Sequence, residues 1–115
     1  MAWSDTALNT GAAAMTAAYP YLSLHTTGAV TSNLNESTAP RIAAAWSAPA
    51  TGGDVSCTSK AFTGGAASGP AVRVGYWSLA SGGTYGGGSL LTGDQAFNAA
   101  GTYTVNSITE TGTAT

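Results

Sequence analysis

Large aliphatic side chains are scarce in this chain, and their scarcity limits the folds that it can adopt. Of its 115 residues, 69 are Ala, Gly, Ser or Thr, whereas Leu, Ile, Val and Phe together number only 16. The length is typical of one domain of roughly 100–150 residues. Because so few aliphatic groups cannot fill a thick core, the three Trp and five Tyr residues must supply much of the buried area.

Charged side chains are also rare, with three Lys or Arg, five Asp or Glu and a net charge of −2. So few cations exclude the basic surface that nucleic-acid binding requires. A solitary small domain usually carries more charge for solubility. We therefore expect a homo-oligomer whose hydroxyl- and methyl-rich surface packs into an ordered assembly.

Several kinds of site and partner are excluded by what the sequence lacks. No apolar run approaches the roughly 20 residues of a membrane-spanning helix, and the N-terminus has neither the basic nor the apolar region of a signal peptide. A single cysteine, Cys57, excludes an internal disulfide and a multi-cysteine metal site. We expect this thiol to pack half-buried in a strand, and we expect no membrane contact, metal or cofactor.

Residues 1–19 are predicted to form a helical arm. Ser4 is a good N-cap for an alanine-rich helix that reaches Ala18, where a Tyr-Pro pair ends it. Leu8 and Met15 share one face at helical spacing. A helix this short, with so narrow an apolar face, is marginal alone, and we expect a partner subunit to hold it.

Short alternating segments separated by glycine-rich turns predict an all-β fold, an antiparallel β-sandwich, over residues 20–115. Trp46 and Trp77 are expected in its apolar interior, and Trp3 is expected near an interface. The glycine-rich run at 83–88 predicts a hairpin with a β-bulge. The predicted strands are residues 21–25, 41–46, 54–58, 60–62, 72–79, 85–91, 94–97 and 103–109.

His25 is the one histidine and the main candidate for a catalytic base. Ser23 and Asp54 would complete a hydrolytic site, but such sites are defined by geometry and nothing in the spacing requires one. The chain also lacks paired carboxylates and has few titratable groups. We expect no enzyme activity, and an imidazole that bonds a backbone group at a strand end.

Three other charged residues are more informative about structure. Glu36 and Arg41 lie at the borders of a long polar loop, where an ion pair or charge-assisted backbone bonds would pin it. The alternative is a solvent-exposed ion pair that adds little to stability. We favour the interpretation in which these bonds hold the loop. Arg73 shares a strand face with Trp77 and either stacks on that ring or makes an intersubunit contact.

Two stretches of the chain carry a pattern of short motifs. The first is Leu22-Ser23-Leu24-His25-Thr26, followed by Asn35-Glu36 and by Arg41 at the start of a strand; the second runs from Val72 to Thr84 and contains Gly75-Tyr76-Trp77. Together they resemble a pattern found in small tailed-bacteriophage virion proteins. The resemblance covers most of residues 20–112. It departs at Thr27-Gly28-Ala29, where Asp-Pro-Gly is usual, at Pro40, where Tyr is usual, and at Ser78, where Asp is usual. The loss of Asp at Ser78 argues against a shared metal or polar site.

The resemblance implies a β-sandwich component of the virion surface. Proteins of this kind are described as tail-fibre or minor tail proteins, and related small β-proteins decorate phage heads. We expect a capsid decoration protein that binds the major capsid protein on the outer head shell. A trimer is expected by analogy with decoration proteins at local three-fold positions. The alternative is a tail-fibre or minor tail protein that contacts a host receptor.

Overall fold

One helix and eight short strands form in the described part of the chain, which in this computed structural model comprises residues 3–50, 52–92 and 95–111. This is the predicted all-β antiparallel fold with a short N-terminal helix. The elements are α1 Asp5–Ala18, β1 Tyr21–His25, β2 Ile42–Ala43, β3 Val55–Cys57, β4 Lys60–Phe62, β5 Arg73–Trp77, β6 Tyr85–Leu90, β7 Tyr103–Val105 and β8 Ile108–Glu110.

A four-stranded antiparallel sheet in the order β2-β1-β5-β6 forms one layer of the sandwich, and two short ribbons, β3-β8 and β4-β7, form the other. Strands β1 and β5 pair along their whole length, with Tyr21 opposite Trp77 and His25 opposite Arg73. Residues that face each other across two strands point to the same side of the sheet. This register therefore separates the apolar positions of both strands from the polar ones.

The apolar face of the sheet packs against the ribbons and forms the core. Leu22, Leu24 and Val74 lie in one buried cluster with residues of the ribbons and adjoining loops, which include Cys57, Phe62, Phe97, Tyr103, Val105 and Ile108. Trp46 is half-buried and packs against this cluster, as predicted. Trp77 is buried as well, but its strand position places it on the opposite face of the sheet.

The helix begins where its cap predicts and is held by its own domain. The Ser4 hydroxyl accepts a hydrogen bond from the Ala7 amide. The Asn9 side-chain oxygen accepts another from the Gly53 amide at 2.7 Å, and Ala12 is 1% exposed. The chain thus supplies an anchor for α1, and contact with a partner subunit stays a prediction. Among the described residues, no helix has the length and apolar character needed to span a membrane.

Two predicted strands are wrong in extent. The strand expected at 41–46 is limited to β2, because Ala45 has a φ of 53° that takes the backbone out of the extended conformation. The strand expected at 103–109 divides into β7 and β8, which pair with different partners. Of the segment expected at 94–97, Asp94 lies outside the described residues, and Ala96 makes an isolated bridge.

The predicted bulge lies in the hairpin between β5 and β6. Tyr76 pairs with Gly87, whereas the next residue, Trp77, pairs with Tyr85, so Gly86 is the additional residue. A Cβ atom at Gly86 would lie 2.7 Å from the ring of Tyr19. Only glycine fits there without a shift of that ring.

Candidate functional site

The face of the sheet opposite the core carries a buried layer of polar and aromatic side chains, which we call the polar layer. Its members on β1, β5 and β6 are Ser23, His25, Arg73, Trp77 and Tyr85. The loop of residues 26–36 crosses over this face. Alternate residues of a strand point to the same face of the sheet. The pairing between strands keeps these five positions on one face, so their side chains lie together.

Arg73 lies at the centre of the polar layer and is 0% exposed. Its guanidinium donates to three backbone carbonyls of the covering loop, those of Thr27 at 2.9 Å, Ser32 at 2.6 Å and Leu34 at 2.6 Å. It also donates to the Tyr85 hydroxyl, which in turn donates to the Val30 carbonyl. Both interpretations made from the sequence are wrong, because Arg73 neither stacks on Trp77 nor has surface left for another subunit.

His25 joins the same loop through a directed chain of hydrogen bonds. Its Nδ1 lies 2.8 Å from the Leu34 carbonyl, which only accepts, so Nδ1 carries the hydrogen. Nε2 therefore accepts from the Ser23 hydroxyl at 2.6 Å. The Ser23 Oγ accepts from Trp77 Nε1 at 2.8 Å. The predicted bond between the imidazole and a backbone group is confirmed.

The Ser23–His25 pair has the hydrogen bond of a nucleophile and its base, but it cannot receive a substrate. Both residues are 0% exposed, and a Cβ atom at Gly75 would already lie within 2.8 Å of both polar atoms. The Leu34 carbonyl occupies the place of a triad carboxylate. The backbone of Asp54, the third residue considered from the sequence, pairs with that of Ala50 in a turn. The pair has a structural role.

The polar layer favours the neutral imidazole. Burial lowers the pKa of His25 below its ordinary value of 6.5, and the nearby Arg73 cation lowers it further. The hydrogen bond to the Leu34 carbonyl opposes this shift, as does the Glu36 carboxylate. Arg41 also acts to lower the pKa. Protonation would also place a hydrogen on Nε2, which now accepts from Ser23.

We expect the protein to lose stability as the pH falls from about 7 to about 5.5. Unfolded His25 takes up a proton near its ordinary pKa, whereas the lowered pKa of the folded imidazole means that it takes up a proton only at more acidic pH, so acid favours the unfolded state. The slope approaches about 1.4 kcal/mol per pH unit between the two pKa values. Thermal unfolding of the wild type and of His25→Gln at both pH values measures it. The variant should show the smaller pH dependence, and equal dependence in the two proteins would contradict the assignment.

Arg41 pins the polar loop as predicted, and it also stacks on Trp77, which was one of the two alternatives considered for Arg73. Its Nε and Nη2 each donate to a Glu36 carboxylate oxygen at 2.9 Å. Its Nη1 donates to the carbonyls of Leu79 at 2.9 Å and Gly82 at 2.7 Å. The guanidinium carbon lies 3.6 Å from the centre of the Trp77 ring. One side chain thus joins the long loop, the β5–β6 turn and the polar layer.

Replacing Arg41 with lysine is expected to lower the free energy of unfolding by about 2 kcal/mol. An ammonium group keeps the charge but cannot make the paired bonds to Glu36 and the two carbonyl bonds together. Urea unfolding measures the loss. Lys60→Arg, at a cation outside this cluster, is the control and should change stability little. An Arg41→Lys protein as stable as the wild type would show that the pair is solvated and of little worth.

Three of the residues singled out from the sequence lie away from the polar layer. Leu8, Met15 and Trp46 line a groove between α1 and the core face of the sheet, which we call the aromatic groove. Trp46 Nε1 donates to the Tyr19 carbonyl at 3.1 Å, and its ring meets Tyr76 edge-on at 5.3 Å. Within the described ranges, no three of His, Cys, Asp and Glu cluster so as to hold a metal ion.

Comparison with protein-family models, with curated proteins and with solved structures gives no match. Any inference about function therefore rests on the chain itself, including the contacts of the polar layer, its loops and the aromatic groove. Sequence reasoning missed Tyr85 as a member of the polar layer. Its position opposite Trp77 depends on the bulge at Gly86, whose register the glycine-rich run does not specify.

Proposed function

We propose that this protein is a structural component of a bacteriophage virion that decorates the outer head shell by binding the major capsid protein. The resemblance to virion proteins rests on short elements that are far apart in the chain. Their key members contact one another: Glu36 pairs with Arg41, Arg41 stacks on Trp77, and His25 bridges Glu36 through the backbone. These contacts support the resemblance, because motifs that are distant in the chain meet in one cluster and together hold the loops in place.

The cluster holds two loops that each expose a leucine. Leu34 is 65% exposed and Leu79 is 55% exposed, while their carbonyls accept hydrogen bonds from Arg73 and Arg41 respectively. An apolar side chain on a fixed backbone loses little entropy when it binds. The chain has few aliphatic side chains, yet it exposes two leucines on loops whose backbone is fixed. This supports docking of the two leucines on a protein surface.

A homo-oligomer on the particle is part of the same proposal. Leu90 on the edge strand β6 is also 65% exposed, and the chain carries only eight charged side chains in all. Both features favour contact with neighbours over isolation in water. We propose a trimer, by analogy with head decoration proteins.

Immunogold labelling of intact phage particles that encode this chain tests the proposal. Label over the whole head is the expected result. Label confined to the tail would overturn head decoration and favour the tail-fibre or minor tail alternative. Particles without label, beside a labelled capsid-protein control, would contradict a virion role.

Docking through the two leucines is tested by adding purified protein to particles that lack it. The double variant Leu34→Asp, Leu79→Asp should lose most of its binding while it keeps the melting temperature of a folded protein. The matched control Ala61→Asp, Ser107→Asp adds the same charge at exposed positions outside both loops. Undiminished binding of the leucine variant would show that these loops are not the docking surface.

A further inference from the structure

The aromatic groove has the dimensions of a small-molecule site. Its volume is about 680 Å³, within the roughly 300–1,000 Å³ typical of ligand clefts. Helix α1 forms one wall, and β5, β6 and the residues near Val55 form the rest. It lies on the opposite side of the four-stranded sheet from the polar layer, so its occupant would not touch that layer.

Four aromatic side chains line the groove: Trp3, Tyr19, Trp46 and Tyr76. The faces of such rings carry negative potential and attract cations, most strongly where water is excluded. Anions gain nothing from these faces. An aromatic lining of this kind therefore favours a positively charged ligand over a negatively charged one of the same shape.

Glu110 is the one charged residue among those that line the groove. Its Oε1 accepts a hydrogen bond from the Tyr76 hydroxyl, which fixes the carboxylate at the wall. Burial, and then the carboxylate itself, raise the pKa of Tyr76, so its hydroxyl stays a donor. Arg41 and Arg73 are bonded in and around the polar layer, and Lys60 does not line the groove.

Two glycines of the lining border open space. A Cβ atom at Gly11 in the middle of α1, or at Gly87 beside Tyr76, would have no heavy atom within 4 Å. The backbone alone favours glycine at Gly87, where φ is 136°, but not at Gly11. Glycine inside a helix costs about 1 kcal/mol relative to alanine. No neighbour in the described chain requires the small size of Gly11, so a side chain at this position would extend into the groove rather than displace packed atoms.

We propose that the aromatic groove binds a small alkylated ammonium ion, with the rings around its methyl groups and the Glu110 carboxylate as counter-charge. The ligand class follows from the combination of aromatic side chains, one fixed carboxylate and no cation among the described residues of the lining. The binding site is independent of a role in the virion, since it uses neither of the leucine-bearing loops.

The test compares choline with 3,3-dimethylbutan-1-ol, which has the same shape with carbon in place of the charged nitrogen. Titrations of the full chain are followed by tryptophan fluorescence, because Trp3 and Trp46 line the groove, and by amide NMR shifts. Choline should bind at millimolar concentration or below, about tenfold more tightly than the alcohol. Equal affinity for the two compounds, or shifts confined to residues outside the groove, would overturn the proposal, as would no binding of choline.

Two variants test the site itself. Glu110→Gln keeps the shape of the side chain and should remove most of the preference for choline over the alcohol. Asp5→Asn, at an exposed carboxylate outside the groove, is the matched control and should leave that preference unchanged. Gly11→Leu should fill the groove and weaken both compounds. An unchanged preference in Glu110→Gln would exclude the carboxylate as counter-charge, whether or not Gly11→Leu folds.

Discussion

Replacing Arg73 with methionine is expected to lower the free energy of unfolding by about 4 kcal/mol. Methionine has a similar length but no donors. The carbonyls of Thr27 and Ser32 and the Tyr85 hydroxyl would then lose the Arg73 donor in a buried layer, and the Leu34 carbonyl would keep only the bond from His25. Such a loss is a large part of the roughly 5–15 kcal/mol that stabilises a typical domain.

Urea unfolding of Arg73→Met measures this effect, and hydrogen exchange of the amides in residues 26–36 locates it. Arg73→Lys should lower stability nearly as much, because one ammonium group cannot replace a planar guanidinium that donates to three separate carbonyls. Lys60→Met removes a partly exposed cation and serves as the control. A loss below about 1 kcal/mol in Arg73→Met would show that the loop is held by other contacts.

Trp77→Ala is expected to cost about 3–5 kcal/mol and to give insoluble or largely unfolded protein. The side chain is 6% exposed, and its removal leaves a cavity between Arg41 and the sheet. Arg41 would lose the ring on which it stacks, and Ser23 would lose the donor that orients it toward His25. Both effects add to the lost packing.

Solubility, circular dichroism and thermal unfolding check this prediction, with Trp3→Ala as the control at an exposed tryptophan. Trp77→Phe separates the contributions, since phenylalanine keeps a ring beneath Arg41 but lacks the indole N–H. We expect it to fold with a loss of about 1–2 kcal/mol. A soluble Trp77→Ala protein with an unchanged melting temperature would refute the assigned role of this ring.

Local features were predictable because each depends on neighbours in the chain. The hydroxyl of Ser4 and the alanine-rich run define α1 without reference to the rest of the fold. Alternation of small polar and apolar residues likewise predicted β1 and β5 close to their observed bounds. Glu36 and Arg41 are only five positions apart, so their ion pair was within reach of sequence reasoning as well.

Strand length and division were less predictable, because tertiary contacts override weak local preference. The residues after Ala43 suit a strand, but the Ala44 amide bonds the Pro20 carbonyl and Ala45 turns away. At the other end, β7 and β8 separate because each finds a different ribbon partner. Small residues without strong propensity leave such choices to long-range pairing.

By itself the sequence determined an all-β chain with a capped N-terminal helix, a pinned polar loop, and strands whose alternate residues share a face. The tertiary structure alone decided that Arg73 is buried beneath residues 26–36, that Arg41 is the cation on Trp77, and that a groove stays open beside Gly11. The physical reason is that strand periodicity defines two faces but does not specify what covers each. That depends on the register between β1 and β5 and on the path of the loop that returns over them.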